Sequence, residues 1–208
     1  MRTHIPAPNK LQLLASCLLF ILPALAWTAV KYTSLPPYTP LAQALEIRLE
    51  KLEALLAEAS DYQRYILLDT TARTAMELKL YDKAEQFARD LHELAPAYPQ
   101  DWNYASALHH SRIILGRTAL LKGDIATAKR YLLAAGQAPG SDILDNNGPD
   151  LQLASDLLKR NERTTVINYL KACRTFWRKG QARLEQWLTQ LDKGETPNLL
   201  ARSSPDSK

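Results

Sequence analysis

Apolar and polar positions divide the chain into stretches of different character. Between Lys10 and Lys31 lie twenty uncharged residues, LQLLASCLLFILPALAWTAV, sixteen of them apolar. As a helix this stretch rises about 30 Å, the thickness of a bilayer's hydrocarbon core. The next segment, KYTSLPPYTP, holds three prolines and reads as an extended linker over residues 31–40. From Leu41 the apolar positions take up a helical period. Leu45, Leu49, Leu52 and Leu56 follow at spacings of 4, 3 and 4, with Glu46, Arg48, Glu50, Lys51 and Glu53 on the other faces. The pattern predicts an amphipathic helix over 41–60. Its stripe packs either on the chain's own domain or, as a short coiled-coil seam, on a second copy. Two heptads are short for a coiled coil, which favours the first.

Nearly every stretch over 61–191 keeps the helical period, with breaks at 96–100, 139–141 and 146–149. No segment alternates apolar and polar residues between hairpin turns, so the fold class is all-α. The tail GETPNLLARSSPDSK is polar with two prolines, and residues 192–208 are expected to be disordered.

The body repeats itself. YDKAEQFARDLHELAP (81–96) and DIATAKRYLLAAGQAP (124–139) each open with an acid, place an alanine after a short spacer (Ala84 and Ala128) and end at proline. The preceding helices carry Ala72 in one case and the pair Leu115-Gly116 in the other. Helices that cross closely need small residues where their backbones touch. Ala72, Ala84, Leu115, Gly116 and Ala128 are therefore the expected packing positions, and Gly123 suits the turn between helices. A weaker third unit begins near Asp150, with Leu153-Ala154, a turn at Asn161-Glu162, and Val166, Leu170 and Cys173 on its second helix. Ala84, Ala128 and Val166 are 44 and 38 residues apart.

These residues resemble the tetratricopeptide repeat (TPR), a helix–turn–helix unit of about 34 residues. The irregular spacing then corresponds to insertions of roughly ten and four residues over that unit, in AYPQDWNYAS and SDILDNNGP. The resemblance implies two to three TPR-like helical hairpins stacked as a short solenoid over 61–191, closed by a capping C-terminal helix. The stretch 103–187 is also similar to bacterial repeat proteins of unassigned activity. A non-catalytic scaffold or adaptor for a protein or peptide ligand is implied. Its ligand groove is lined by the first helices, about 62–78 and 106–121. Polarity on those helices and on the inserted loop nominates Tyr65, Arg73, Asn103, Tyr104, His109, Arg112 and Arg117 as groove contacts.

Charge adds a location rather than a partner. The net charge of +4 includes Arg2 and Lys10, so the remaining chain holds 24 basic and 22 acidic residues, too balanced for a nucleic-acid partner. The apolar segment is either a signal peptide, cleaved after Ala24-Leu25-Ala26, or an uncleaved signal anchor crossing the membrane through residues 11–30. Arg2 and Lys10 favour an inside N-terminus, which puts the helical domain on the extracytoplasmic side, periplasmic in a Gram-negative cell. Leu14-Ala15-Ser16-Cys17 resembles a lipobox, a third fate for that segment. Cys173 is the remaining cysteine and reads as a small core residue.

Candidate chemistry is sparse. His109 and His110 are adjacent, so on a helix they point about 100° apart and chelate one metal poorly, whereas helical metal ligands sit at i and i+4. One is expected inside and the other in the groove. A metal protein or enzyme centred on His109/His110 is the rival reading. The segment 142–148 breaks the calcium-loop pattern at Ile143 and reads as a turn, with Pro149 opening the next helix. No nucleophile elbow, Walker loop or dinucleotide loop occurs, so no cofactor, metal or catalytic residue is expected. Finally, 164–191 reads as one helix with the stripe Val166, Tyr169, Cys173, Phe176, Leu184, Trp187 and Leu191. Lys171, Arg174 and Arg178 beside it form a basic surface, with Trp177 as an exposed anchor. That surface supports an alternative, a membrane-surface or envelope assembly factor.

Overall fold

The computed structural model describes residues 40–201. The expected leader or anchor, Cys17 and all but the last residue of the linker lie outside the described residues. The chain divides into two units, Met1–Gln43 and Ala44–Lys208. The described part of the first is the opening turn of helix α1 (Pro40–Ala57). Among the described residues there are nine α-helices, two 3-10 turns and no strand, so the body is all-helical. None of these helices is long and apolar enough to cross a membrane.

Helix α1 carries its stripe inward. Leu49 and Leu56 are buried, while Leu41 and Leu55 stay exposed, so the helix packs on its own domain. It stops at Ala57 because Ser60 caps helix α2 (Asp61–Glu77). The Gln63 side chain accepts from the Ser60 N–H at 2.8 Å, closing a capping box. Helix α3 is Tyr81–Leu94, with Ala84, Ala88 and Leu91 buried at spacings of 4 and 3. A 3-10 turn over Ala95–Ala97 and a loop lead to helix α4 (Tyr104–Leu121). Twelve of the eighteen residues of α4 are buried, because α2, α3 and α5 (Ile125–Gly136) all pack on it. Asp124 caps α5 by accepting from the Thr127 N–H at 2.9 Å. A short helix α6 (Asp142–Asn147) precedes α7 (Gln152–Leu158) and α8 (Arg163–Cys173). The last helix is α9 (Gln181–Asp192).

The helices form hairpins, α2 with α3, α4 with α5 and α7 with α8. First helices touch in succession, α2 on α4 and α4 on α7, and the second helix α5 meets α8. The three hairpins share one turn. At the end of α2, Leu80 N–H donates to the Ala75 carbonyl (2.9 Å) and Lys79 N–H to Met76 (3.1 Å). After α4 the same two bonds join Asp124 to Ala119 (2.9 Å) and Gly123 to Leu120 (3.1 Å). After α7 they join Glu162 to Leu157 (3.1 Å) and Asn161 to Leu158 (3.1 Å). This is the Schellman closure, which needs a left-handed residue. Lys79, Gly123 and Asn161 supply it at φ 60°, 84° and 63°. Five residues beyond each stands a fully buried side chain, Ala84, Ala128 or Val166. Seven residues before each stands a buried small residue, Ala72, Gly116 or Ala154. A Cβ on Gly116 would come within 3.1 Å of Tyr131 Cβ and overlap Leu153, so α4 packs tightly there on both α5 and α7.

Three expectations are corrected. Residues 142–147 form the short helix α6 rather than a turn, and Pro149 does not open the next helix, which begins at Gln152. The C-terminal helix is broken: α8 ends at Cys173 and α9 begins at Gln181, with a 3-10 turn over Arg178–Gly180 between them. A continuous helix would leave Trp177 beside the stripe and wet. The break turns its indole inward, against Trp187 at a centroid distance of 6.1 Å and into the space a Cβ would fill on Gly148 or Gly180. Trp177 is thus 9% exposed and is no surface anchor. The tail also returns to the body, burying Pro197 and Leu199. Gly194, at φ 82°, closes α9 with the same turn, and Leu199, five residues on, is 2% exposed. The Arg163 guanidinium donates to the carbonyls of Leu191, Gly194 and Glu195 and fastens this return. Residues 202–208 lie outside the described residues.

Candidate functional site

The first helices of the three hairpins border an open groove of about 910 Å³. Arg73, Met76 and Glu77 of α2 form one wall, and Ile113, Ile114 and Arg117 of α4 form the floor. The approach to α7, with Asp150 and Asp156, forms the other wall. The turns add Lys79, Lys159 and Arg160, and the tail adds Leu200. Arg73 and Arg117 occupy the same place in successive units, directly after the small crossing residue. Asp156 holds two cations at once, Arg117 Nε at 3.3 Å and Lys159 Nζ at 3.4 Å. Asp150 turns one carboxylate oxygen to the Gln152 N–H at 2.9 Å, which starts α7.

Of the seven expected groove contacts, Arg73 and Arg117 line it. The other five are placed elsewhere. Tyr65 is fully buried against Tyr98, with ring centroids 4.7 Å apart, and its hydroxyl donates to Asp101 at 3.4 Å. Burial, and then the Asp101 charge, hold its phenol well above the usual range. Asn103 is 8% exposed and its N–H donates to the same oxygen of Asp101, Oδ1, at 2.9 Å, forming the bend that sets up α4. Tyr104 packs beside Tyr65 in the same cluster. Arg112 reaches across to the Ala134 carbonyl at 2.8 Å, ending α5 as a C-terminal cation should. Polarity had nominated these residues, but their partners lie inside the body.

His109 is the fifth and is fully buried. The Asp150 N–H donates to its Nε2 at 2.9 Å, so the ring proton sits on Nδ1 and is donated to the Ala135 carbonyl at 3.0 Å. The ring also stacks on Tyr169 at 6.4 Å. Burial, then the charge of His110, push its pKa down to about 4. Both nitrogens are thus committed to the fold. His110 turns the other way, and its Nδ1 lies 3.1 Å from both oxygens of Asp69 on α2. Among the described residues no group of three His, Cys, Asp or Glu side chains comes together to hold a metal. Burial pushes the Cys173 thiol up to about 12, which removes the thiolate at neutral pH.

The expected basic surface is divided. Arg174 pairs with Glu185 at 2.6 Å and Arg178 with Asp145 at 2.9 Å, leaving Lys171 exposed. Asp145, itself buried, also accepts from the Lys179 N–H at 3.0 Å. That bond first, and Arg178 after it, hold its carboxyl below the usual range.

Sequence reasoning missed Asp69, Asp101, Asp156 and the groove cations Lys79, Lys159 and Arg160. The last three stand at the turn register, so the repeat spacing carried a signal for them. The aspartates form contacts set by tertiary packing, and no local spacing marks them. No family model, curated protein or solved structure matches this chain.

Proposed function

We propose that the chain is a non-catalytic binding protein, a short TPR-like array whose groove holds a peptide or an extended segment of another protein outside the cytoplasmic membrane. One observation carries the reading. The groove is bordered by the first helix of each of three hairpins that share a turn and a packing register, and it opens to solvent. Repeats stacked in register offer a ligand one rung per unit along a continuous surface. The extracytoplasmic placement rests on the apolar segment 11–30 and on Arg2 and Lys10. The alternative, an envelope assembly factor working through Lys171, Arg174 and Arg178, has less charge to offer, because two of the three cations are already paired. A reaction centred on His109/His110 lacks an available base at His109, whose two nitrogens serve the fold.

The test is position-specific crosslinking in living cells. A photo-reactive phenylalanine replaces Leu121, which is exposed at the groove, or Glu185, which is exposed on α9. Adducts to a second protein from position 121 and none from 185 are expected. Equal adducts, or none from 121, sink the groove reading.

A further inference from the structure

The groove's charge narrows the class of ligand, and this step rests on the groove reading above. Three of its cations, Arg73 on α2, Lys79 at the first turn and Arg160 at the third, are exposed and form no ion pair with any described residue. Two more, Arg117 and Lys159, share the single carboxylate of Asp156. Outside the N-terminal segment the chain is near neutrality, with 24 basic against 22 acidic residues, so this surplus is local. Cations that outnumber the acids around one groove repel each other, and that repulsion is relieved when a bound anion supplies the missing charges.

The acids present decide which anion. Glu77 and Asp150 stand among the cations. A continuous polyanion such as nucleic acid would be driven against them, whereas a chain with spaced carboxylates can place each charge on a cation and pass the acids with neutral residues. Apolar contact is also on offer: Leu121 is 57% exposed and Leu200 41%. The register gives a spacing. Arg73 and Arg117 hold equivalent places on adjacent first helices, and packed helices lie about 8–10 Å apart. Extended chain covers that span in about three residues.

We propose that the groove takes an acidic peptide segment in extended form, with carboxylates about three residues apart and an apolar side chain between them. Arg73 and Arg117 receive carboxylates at that spacing, Lys79 and Arg160 add positive charge at the groove's edge, and Leu121 receives the apolar residue.

The probe is a fluorescein-labelled nine-residue peptide, three repeats of Glu-Leu-Ser, measured by anisotropy against full-length protein. Matched peptides carry Gln or Lys in place of Glu. The Glu peptide is expected to bind about tenfold more tightly than the Gln peptide, the Lys peptide not at all, and the difference to shrink with added salt. The double variant Arg73→Glu/Arg160→Glu, at exposed positions, is expected to lose the Glu peptide about tenfold with unchanged helicity, and Lys171→Glu to keep it. Gln and Glu peptides of equal affinity, or an unaffected double variant, overturn the acidic ligand while crosslinking from position 121 still supports a groove. An equal loss in Lys171→Glu moves the anion to the C-terminal surface and overturns it too. Binding by none of the three peptides overturns the proposal, and the absence of adducts at position 121 overturns the groove itself.

Discussion

His109 is neutral because folding gives its two nitrogens opposite roles, one accepting from Asp150 and one donating to Ala135. A second proton would eject the Asp150 N–H. The pKa near 4 lies below the unfolded value of 6.5, so the unfolded chain binds the proton more readily. Stability from this site is whole above pH 6.5 and is lost as pH falls toward 4, by about 3 kcal/mol in all. Urea unfolding of the protein and of His109→Gln between pH 7.5 and 4.5 should give curves whose gap narrows on acidification; a constant gap would contradict the neutral tautomer. A second residue-scale prediction concerns Gly116, where Tyr131 Cβ and the Ala128 carbonyl leave no room for a branched side chain. Gly116→Val is expected to cost about 2–3 kcal/mol in chemical denaturation. The small size needed at Gly116 was legible in the sequence, because crossing helices leave that mark. That adjacent histidines face apart was legible too. Which one goes inside was not, since its partners Ala135 and Asp150 are 26 and 41 residues away.

Turns decide the elements. Lys79, Gly123 and Asn161 do one job with different chemistry, and only glycine does it without crowding its own carbonyl. Nothing stands within 4 Å of a Cβ built on Gly123, so substitution there tests backbone conformation alone. Gly123→Ala is expected to lower stability by about 1 kcal/mol, and Lys79→Gly to raise it by a somewhat smaller amount, both read as shifts in thermal midpoint. Opposite signs are required; two losses would mean that Lys79 contributes through its side chain. The glycine made the second turn readable in the sequence and left the first to be inferred from Ala84. The broken C-terminal helix was unreadable for a different reason. Phe176 and Leu184 are two helical turns apart and so keep one face across the gap, and only the space beside Gly148 and Gly180 shows where Trp177 packs once the helix breaks.

At the scale of the molecule, helix order and hairpin pairing followed from periodicity, while the groove's charge did not, because its cations come from several separate elements. The proposed placement outside the cytoplasm predicts that protease added to spheroplasts reaches the helical body. Protection until the membrane is lysed would contradict it. The C-terminal closure makes a further prediction. Arg163→Ala removes donors from three carbonyls, so amide exchange over 195–201 should accelerate while α2–α5 keep their protection. That closure also ends the row of helices. Leu199 stands five residues past Gly194, the place where Ala84, Ala128 and Val166 seat a second helix in the earlier units. The chain's own tail thus takes, behind α9, the place that a second helix takes in each hairpin. A further hairpin could be joined to α9 only by first peeling Leu199 away, so the repeat register ends on a segment too short to be a helix.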